Sequence, residues 1–420
     1  MNIVFGIIIG LIILMLLVVA HEFGHFIMAR RNGVRVLEFG IGFAPRAIAW
    51  VKKPVEQKDK DGKPLLDADG KPITKLKWVK IPKKDWSKPQ DSMIFSLNWL
   101  PIGGFCAMDG ESDADRRKGT FGAASFWGKT KILFGGVAMN WLVAFVILTV
   151  LALTGMPQFL EHQFHLGQDA QQIDVSRSVV VDKVVEGSPA DEAGFEGGDE
   201  IIAIEGETVS SAAVISQYGK DHAGETVKYK IKRGEEEKEL TANLNPADSE
   251  YALGVSMASY GQTFIRSTWS APIVGLGVTA QITGETFKSL GQLVWNLISG
   301  VFRQFSPNDT VREEGREDLA AAGDSVSGPV GIIGVIFPTF ASTGISNLAF
   351  LAALISVSLA CMNVLPIPAL DGGRWLIIAI YKLRRKKLTK ETEEKIVSRA
   401  FMVLLALIAI ITILDIIKLF

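Results

Sequence analysis

Residues 14–31, LMLLVVAHEFGHFIMARR, set two histidines and a glutamate at the end of a hydrocarbon run, just before paired arginines. His21 and His25 are four apart, so a helix stacks both imidazoles on one face, where they can share a metal ion. Glu22 beside them is suited to take a proton from a water activated at such an ion. The plainer alternatives are an incidental H-E-x-x-H or a histidine that pairs with another helix. Charges inside a membrane helix cost several kcal/mol on insertion scales, which weighs against accident here.

The elements that must position these groups are membrane spans. The chain has 420 residues, of which 48% are hydrophobic, and its mean hydropathy is +0.27. Segments 3–20, 132–155 and 346–367 are uncharged, and 400–417 holds the single acid Asp415. About 20 apolar residues cross a bilayer core as a helix. The first segment has no basic n-region and no small-x-small cleavage site, so it is expected to be a retained span. Arg30, Arg31 and Arg35 follow it, Lys129 and Lys131 precede the second span, and Arg374 with residues 384–387 follows the third. Basic residues favour the cytoplasmic side, so both termini are expected outside, with 31–129 and 374–399 in the cytoplasm and 156–345 outside. The net charge of −1 excludes a basic nucleic-acid surface. Two cysteines, Cys106 and Cys361, define no disulfide framework.

Two histidines leave a catalytic zinc site one ligand short, since such sites use three protein ligands and keep a position open. The three other histidines, His162, His165 and His222, all fall in the region assigned outside. His21 sits about 27 Å along the first helix, near its cytoplasmic end. The third ligand is therefore expected to be a carboxylate from the inner end of another span. NVLPIPALDGGR, residues 363–374, supplies Asp371 at that depth. Pro366 and Pro368 interrupt helical hydrogen bonding there, and irregular backbone at membrane depth occurs only where it lines a cavity. The alternative for Asp371 is a helix-end cap at the interface.

H-E-F-G-H in a first span with N-x-L-P-I-P-x-L-D-G-G in a later one resembles the site-2 protease family of intramembrane zinc metalloproteases. The closer likeness is to its bacterial branch with one inserted PDZ domain, and it covers nearly the whole chain. The resemblance implies that His21, His25 and Asp371 bind Zn2+ and that Glu22 is the catalytic acid/base. EFGIGFAP at 38–45 and LPIGGFCAMDGE at 100–111 are similar to the family's strands that dip back into the membrane, whose edge could take an extended substrate by strand addition. GGVAMN at 135–140 resembles the family's G-P-x-x-N, with Val137 in place of proline. Asn140 and Asn363 are expected to bind unwound substrate backbone, the alternative for each being a helix–helix hydrogen bond. SGPVGIIGV at 327–335 resembles the family's segment before the third span.

SPADEAGFEGGDEIIAIEG at 188–206 resembles a PDZ domain of bacterial membrane proteases, with Ile201, Ile202 and Ile204 in its core. Such a domain either captures peptide or acts as a steric filter. The charged stretch 52–91 is expected to be a solvated hairpin, with KDGK and DADGK as turns. Residues 306–325 are polar and are expected to be mobile.

The expected fold is a mainly α membrane protein with four transmembrane helices, a membrane-associated β-hairpin region and one extracytoplasmic α+β PDZ domain. Its divisions are the first transmembrane helix at 1–31, a cytoplasmic loop at 32–129 and the second helix at 130–156. The PDZ domain follows at 177–258 and an interfacial amphipathic helix at 268–303. The third transmembrane segment spans 346–373, and the fourth helix 400–420. The resemblance implies hydrolysis of peptide bonds within transmembrane segments, in the bacterial cytoplasmic membrane. Anti-sigma factors and remnant signal peptides are the family's kinds of substrate. A metal transporter would spread polar groups along several spans, whereas the ligand candidates here gather at one depth. A catalytically dead scaffold would have no need of both Glu22 and Asp371.

Overall fold

The computed structural model describes residues 3–419 except 58–64, 66–71, 87, 89, 91, 161, 210–211, 235, 247 and 250, with backbone alone at 174–178, 213, 258–262 and 418–419. KDGK and DADGK, expected as hairpin turns, lie outside the described residues.

In chain order the elements begin with α1 (Ile3–Arg31), β1 (Val36–Glu56), β2 (Thr74–Lys80), β3 (Ile94–Met108) and α2 (Phe126–Thr154). Next come β4 (Met156–Pro157), β5 (Gln171–Val184), α3 (Pro189–Ala193), β6 (Glu200–Ile204), β7 (Glu207–Thr208), α4 (Ala212–Asp221), β8 (Thr226–Arg233), β9 (Glu236–Asn243) and β10 (Val255–Arg266). The chain continues through α5 (Ala271–Gln304), α6 (Asp309–Asp324), α7 (Pro329–Gly331), a π-helical turn (Ile332–Ile336) and α8 (Phe337–Ser342). It ends with α9 (Ile345–Val364), α10 (Asp371–Leu383) and α11 (Lys390–Leu419). Two compact units result, Met1–Leu151 with Pro272–Phe420, and Ala152–Ala271.

In the first unit, α1, α2, α9 and α11 are long and apolar enough to cross a membrane. A bent pair, Asp309–Asp324 with Pro329–Ser342, would add a fifth crossing if its 47° bend lay within one span. Glycine decides how closely α1 and α2 approach. A Cβ on Gly24 would collide with the Gly135 carbonyl and come within 2.9 Å of the Gly136 Cα. Small residues let helix backbones meet in this way, where packing rather than water expulsion drives association. Nearer the start of α1, the buried Phe337 and Ala341 of α8 pack with Ile9, Ile13 and Leu14, and with Leu348 and Leu351 of α9.

β1 lies between β2 and β3 in an antiparallel sheet. Phe39 pairs with both Phe95 and Cys106, so β3 doubles back and embraces β1 with two arms. The glycines at the return bring the second arm onto α1, where a Cβ on Gly104 would lie 3.1 Å from Val19 Cγ2. Val36, Phe39 and Cys106 share a buried core with Ile132 of α2 and with Ile377 and Ile378 of α10.

Three features depart from the sequence expectations. Residues 309–324, for which polarity predicts mobility and no regular element, form a helix. Asn308 caps this helix by accepting from Thr310 N at 3.0 Å, and Asp318 accepts from Ser299 Oγ at 2.7 Å and Arg303 Nη1 at 2.9 Å on α5. These polar groups are spent on capping and on tertiary bonds, which composition alone does not reveal. The stretch 346–373 is divided, because α9 stops at Val364 and Asp371 opens the separate helix α10. Gly372 and Gly373 permit the return, since a Cβ on either would strike the carbonyls of Val364 or Ile367. Lys129, one of the residues used to orient the second span, is buried and ion-paired with Asp113.

α11 is tied at both ends. Near its start the buried Glu393 accepts from Ser112 Oγ and Asp113 N, each at 2.9 Å. Near its end Asp415 accepts from Gly328 N at 3.1 Å and Gly331 N at 2.8 Å, at the start of α7. An acid surrounded by apolar side chains is tolerated because helix N-terminal amides satisfy it.

The second unit is an antiparallel sheet in the order β4-β10-β5-β6-β8-β9, with β7 on β6. Val181, Phe195, Ile201, Ile204, Ile215 and Tyr229 build its core, and Ile202 is half-buried. The motif residues have local tasks. Ser188 caps α3 by accepting from Asp191 N, and Gly194 ends it at φ 82°. Asp199, fully buried, receives Arg233 Nε at 2.7 Å and Nη2 at 2.8 Å, a bidentate pair joining the β6 entrance to β8. Burial pushes the Asp199 carboxyl up, but Arg233 and the Glu196 N–H outweigh it and hold the group below its ordinary 3.8.

Gly24→Val should separate α1 from α2 at a cost of about 1–3 kcal/mol, seen as a lower thermal midpoint in detergent; an unchanged midpoint would contradict the crossing. Asp199→Ala removes the acceptor of Arg233 and of the Glu196 N–H while Arg233 keeps Glu196 and the Gly194 carbonyl, and should cost about 1–3 kcal/mol. Hydrogen exchange of β6 and β8 amides in the full chain measures it. The lowered folded pKa means that the Asp199 contribution is complete above pH 3.8 and fades as pH falls through the lower folded value.

Candidate metal centre

α1 runs unbroken past the H-E-x-x-H, so the i, i+4 spacing sets the His21 and His25 rings edge-on with centroids 4.7 Å apart. Their Nε2 atoms lie 3.1 Å from each other. Asp371, from the first turn of α10, brings its Oδ2 to 3.1 Å from His21 Nε2 and 3.3 Å from His25 Nε2. Asp371 does open a helix, but that carboxylate oxygen faces the imidazoles. Zinc–nitrogen and zinc–oxygen bonds of about 2.0–2.1 Å in a tetrahedron separate donors by about 3.3 Å. Two imidazole nitrogens and a carboxylate oxygen at these spacings form one face of such a tetrahedron.

α2 shapes the space next to that face. A Cβ on Gly136 would lie 2.6 Å from His21 Nε2 and 2.7 Å from His25 Nε2. The missing side chain therefore leaves a hollow against the donor atoms, which fits an ion. His25 Nδ1 donates to the Ile132 carbonyl at 2.8 Å, which fixes the tautomer and frees Nε2 as a lone-pair donor. Both histidines are buried, at 8% and 7% exposure, so water must come by a defined route. A cavity of about 970 Å³ reaches Asp371 between the loop after β3, the start of α10 and α11, lined by Glu111, Arg117, Arg374, Lys390 and Phe401 among others.

Glu22 stays beside the donors, with its carboxylate within 4.8 Å of both imidazoles. It accepts a hydrogen bond from the Cys106 backbone on the second arm of β3. The sheet edge and the acid/base candidate are thus in direct contact.

Of the two asparagines, Asn140 is fully buried with Nδ2 3.4 Å from His21 Nδ1. Asn363 donates from Nδ2 to Leu359 O on its own helix at 3.0 Å. His165 Nδ1 donates to Gln163 O and His222 pairs with Glu225, both within the second unit. Sequence reasoning missed Ile132, Gly136 and the Cys106 amide. Two of these act through backbone atoms and leave no side-chain signature. Gly136 was visible as half of a glycine pair inside a span, a signal for close approach to something.

A membrane-embedded helical scaffold carrying two imidazoles, a carboxylate and an adjacent glutamate defines the class of zincin-like metalloproteases. The sequence profile of Peptidase family M50 matches residues 9–58 and 74–408. The chain belongs to that family, the site-2 proteases, and is a membrane zinc metalloprotease. "Zinc metalloprotease RasP" of Bacillus licheniformis is 27% identical over 96% of this chain and 97% of its own length. "Regulator of sigma-W protease RasP" of Bacillus subtilis is 26% identical, covering 96% of each. A solved PDZ domain of an SdrC-like protein from Listeria monocytogenes matches 20% of this chain and 90% of its own, at 24% identity and a TM-score of 0.19.

Gly136→Val should fill the hollow and reduce bound zinc to below a tenth of the wild-type content, measured by elemental analysis of detergent-purified protein with unchanged helical circular dichroism. Full zinc occupancy in that variant would place the ion elsewhere.

Proposed function

We propose that this zinc metalloprotease hydrolyses peptide bonds within transmembrane segments, with His21, His25 and Asp371 as its zinc ligands and Glu22 as its acid/base. The observation that carries the reading is the closure of the three donor atoms to 3.1–3.3 Å, from elements 350 residues apart in the sequence. When bound, zinc supplies Lewis acidity that makes water nucleophilic near neutral pH and draws charge from the scissile carbonyl. Glu22 takes the proton of the attacking water and returns it to the leaving nitrogen. The Cys106 N–H holds the Glu22 carboxylate in place while it does so.

The chain crosses the bacterial cytoplasmic membrane four times in this reading, with α1, α2, α9 and α11 as the spans and the centre near the cytoplasmic face. Basic residues around 30–35 and 382–387 support that orientation. A helical peptide bond is shielded, so a substrate span must unwind before attack. The second arm of β3 bonds to no further strand among the described residues, and it offers main-chain groups to an extended segment beside Glu22. Asn363, at the end of α9, is in this reading a further contact for the unwound backbone.

The unit Ala152–Ala271 acts as an extracytoplasmic PDZ domain that either binds chain ends or excludes untrimmed proteins. Its support is the turn and capping chemistry of Ser188, Gly194 and Asp199. Substrates are membrane-anchored proteins with trimmed outer parts, of the anti-sigma factor or remnant signal peptide kind. The name of the Bacillus subtilis relative, which ties that protein to sigma-W, supports the first kind.

Glu22→Gln should keep its zinc and lose cleavage of a reporter transmembrane substrate in detergent by at least 10³-fold. Chelation of the wild type should abolish the same cleavage, and added zinc should restore it. Cleavage by Glu22→Gln at more than a tenth of the wild-type rate would remove Glu22 from the chemistry, and a chain that never cleaves would favour a transporter or scaffold.

A further inference from the structure

Asn140 has no exposed surface, and its Oδ1 meets no hydrogen-bond donor. Its Nδ2 stands 3.4 Å from His21 Nδ1 instead. A bare amide oxygen in a buried site is costly, and the oxygen and nitrogen of an amide are told apart only by their partners. The identity of the facing histidine atom settles which should point inward. His21 turns Nε2 toward His25 and Asp371. An imidazole that gives its Nε2 lone pair to an ion carries its proton on Nδ1, and that N–H requires an acceptor. An amide nitrogen there sets donor against donor. Turning the Asn140 amide by half a revolution places Oδ1 opposite the Nδ1–H, which ends the donor–donor contact and gives the bare oxygen a partner.

We propose that Asn140 is a positioning residue: its Oδ1 accepts from His21 Nδ1–H, fixes the tautomer and aims Nε2 at the metal. This inference rests on the reading of His21 as a zinc ligand. α2 then orients both imidazoles, through Ile132 O for His25 and through Asn140 for His21. The turn that carries Asn140 is itself held, since Ser356 Oγ on α9 donates to the Asn140 carbonyl at 2.8 Å. In this arrangement Oδ1 is committed to His21, and Asn140 has no exposed surface on which to meet substrate.

The test uses the detergent-purified full chain, with zinc affinity measured by chelator competition alongside steady-state cleavage of a reporter substrate. Asn140→Leu keeps the volume and removes the acceptor. It should weaken zinc binding 10–100-fold and lower kcat at saturating zinc with KM within about twofold. Asn140→Asp keeps an acceptor and removes the amide donor, and should hold zinc within about threefold of wild type. His21→Ala is the reference. If it retains wild-type zinc affinity, the ligand reading fails; if it loses zinc while Asn140→Leu binds normally, only the positioning role is overturned. A raised KM with normal zinc affinity would return Asn140 to substrate binding. Should Asn140→Leu not fold, Asn140→Asp decides alone, and a loss beyond tenfold in its zinc affinity overturns the proposal.

Discussion

The approach of α1 to α2 at Gly24 and Gly135 is the constraint on which the centre depends. At that crossing the two backbones touch, with no side chain between them. Only at this separation does the Ile132 carbonyl reach His25 Nδ1, and only there does Gly136 leave a hollow against the imidazoles. α10 completes the set because its own glycines let the chain turn tightly behind α9 and present Asp371. Polar chemistry at membrane depth thus rests on the smallest side chains available, which trade surface contact for backbone proximity.

The sheet extends the same logic to Glu22, the proposed acid/base. Glu22 projects from the helix beside the donors, and its partner is a backbone amide of β3 rather than a side chain. Backbone donors in a paired strand cost little entropy to hold still, since the ladder with β1 already fixes them. The aromatic cluster of Phe23, Phe26, Phe39 and Phe95, with ring centroids 5.2–6.2 Å apart, presses β1 against α1 and joins the first arm of β3 to it.

Much of the centre was legible in the residues, and the reason is energetic. His21, Glu22 and His25 inside a hydrocarbon run demand an explanation, and Asp371 follows from matching depth across a break made by Pro366 and Pro368. Hydrophobic length revealed α1, α2, α9 and α11 for the same reason, because lipid forces backbone bonds to close within each helix. What stayed hidden was carried by backbone atoms or by pairing. The Ile132 carbonyl and the Cys106 amide belong to residues whose side chains give no hint. The helix at 309–324 gave no sign of itself beyond polarity, because Asp318 is matched to partners on another helix. Lys129, one of the basic residues before the second span, lies buried against Asp113, a pairing its type and position do not reveal.

The two tethers of α11 carry a mechanical meaning. Between Glu393 and Asp415 the helix is nearly bare, with Phe401, Met402, Val403 and Ile410 at 50–70% exposure. Each anchor is a carboxylate whose release would leave an ion facing hydrocarbon or a set of amides with no acceptor. Such a rod is fixed at two points, and its middle is left open to whatever lies alongside it. Drifting away would mean breaking both fastenings, one to the loop after β3 and one to the amides at the start of α7.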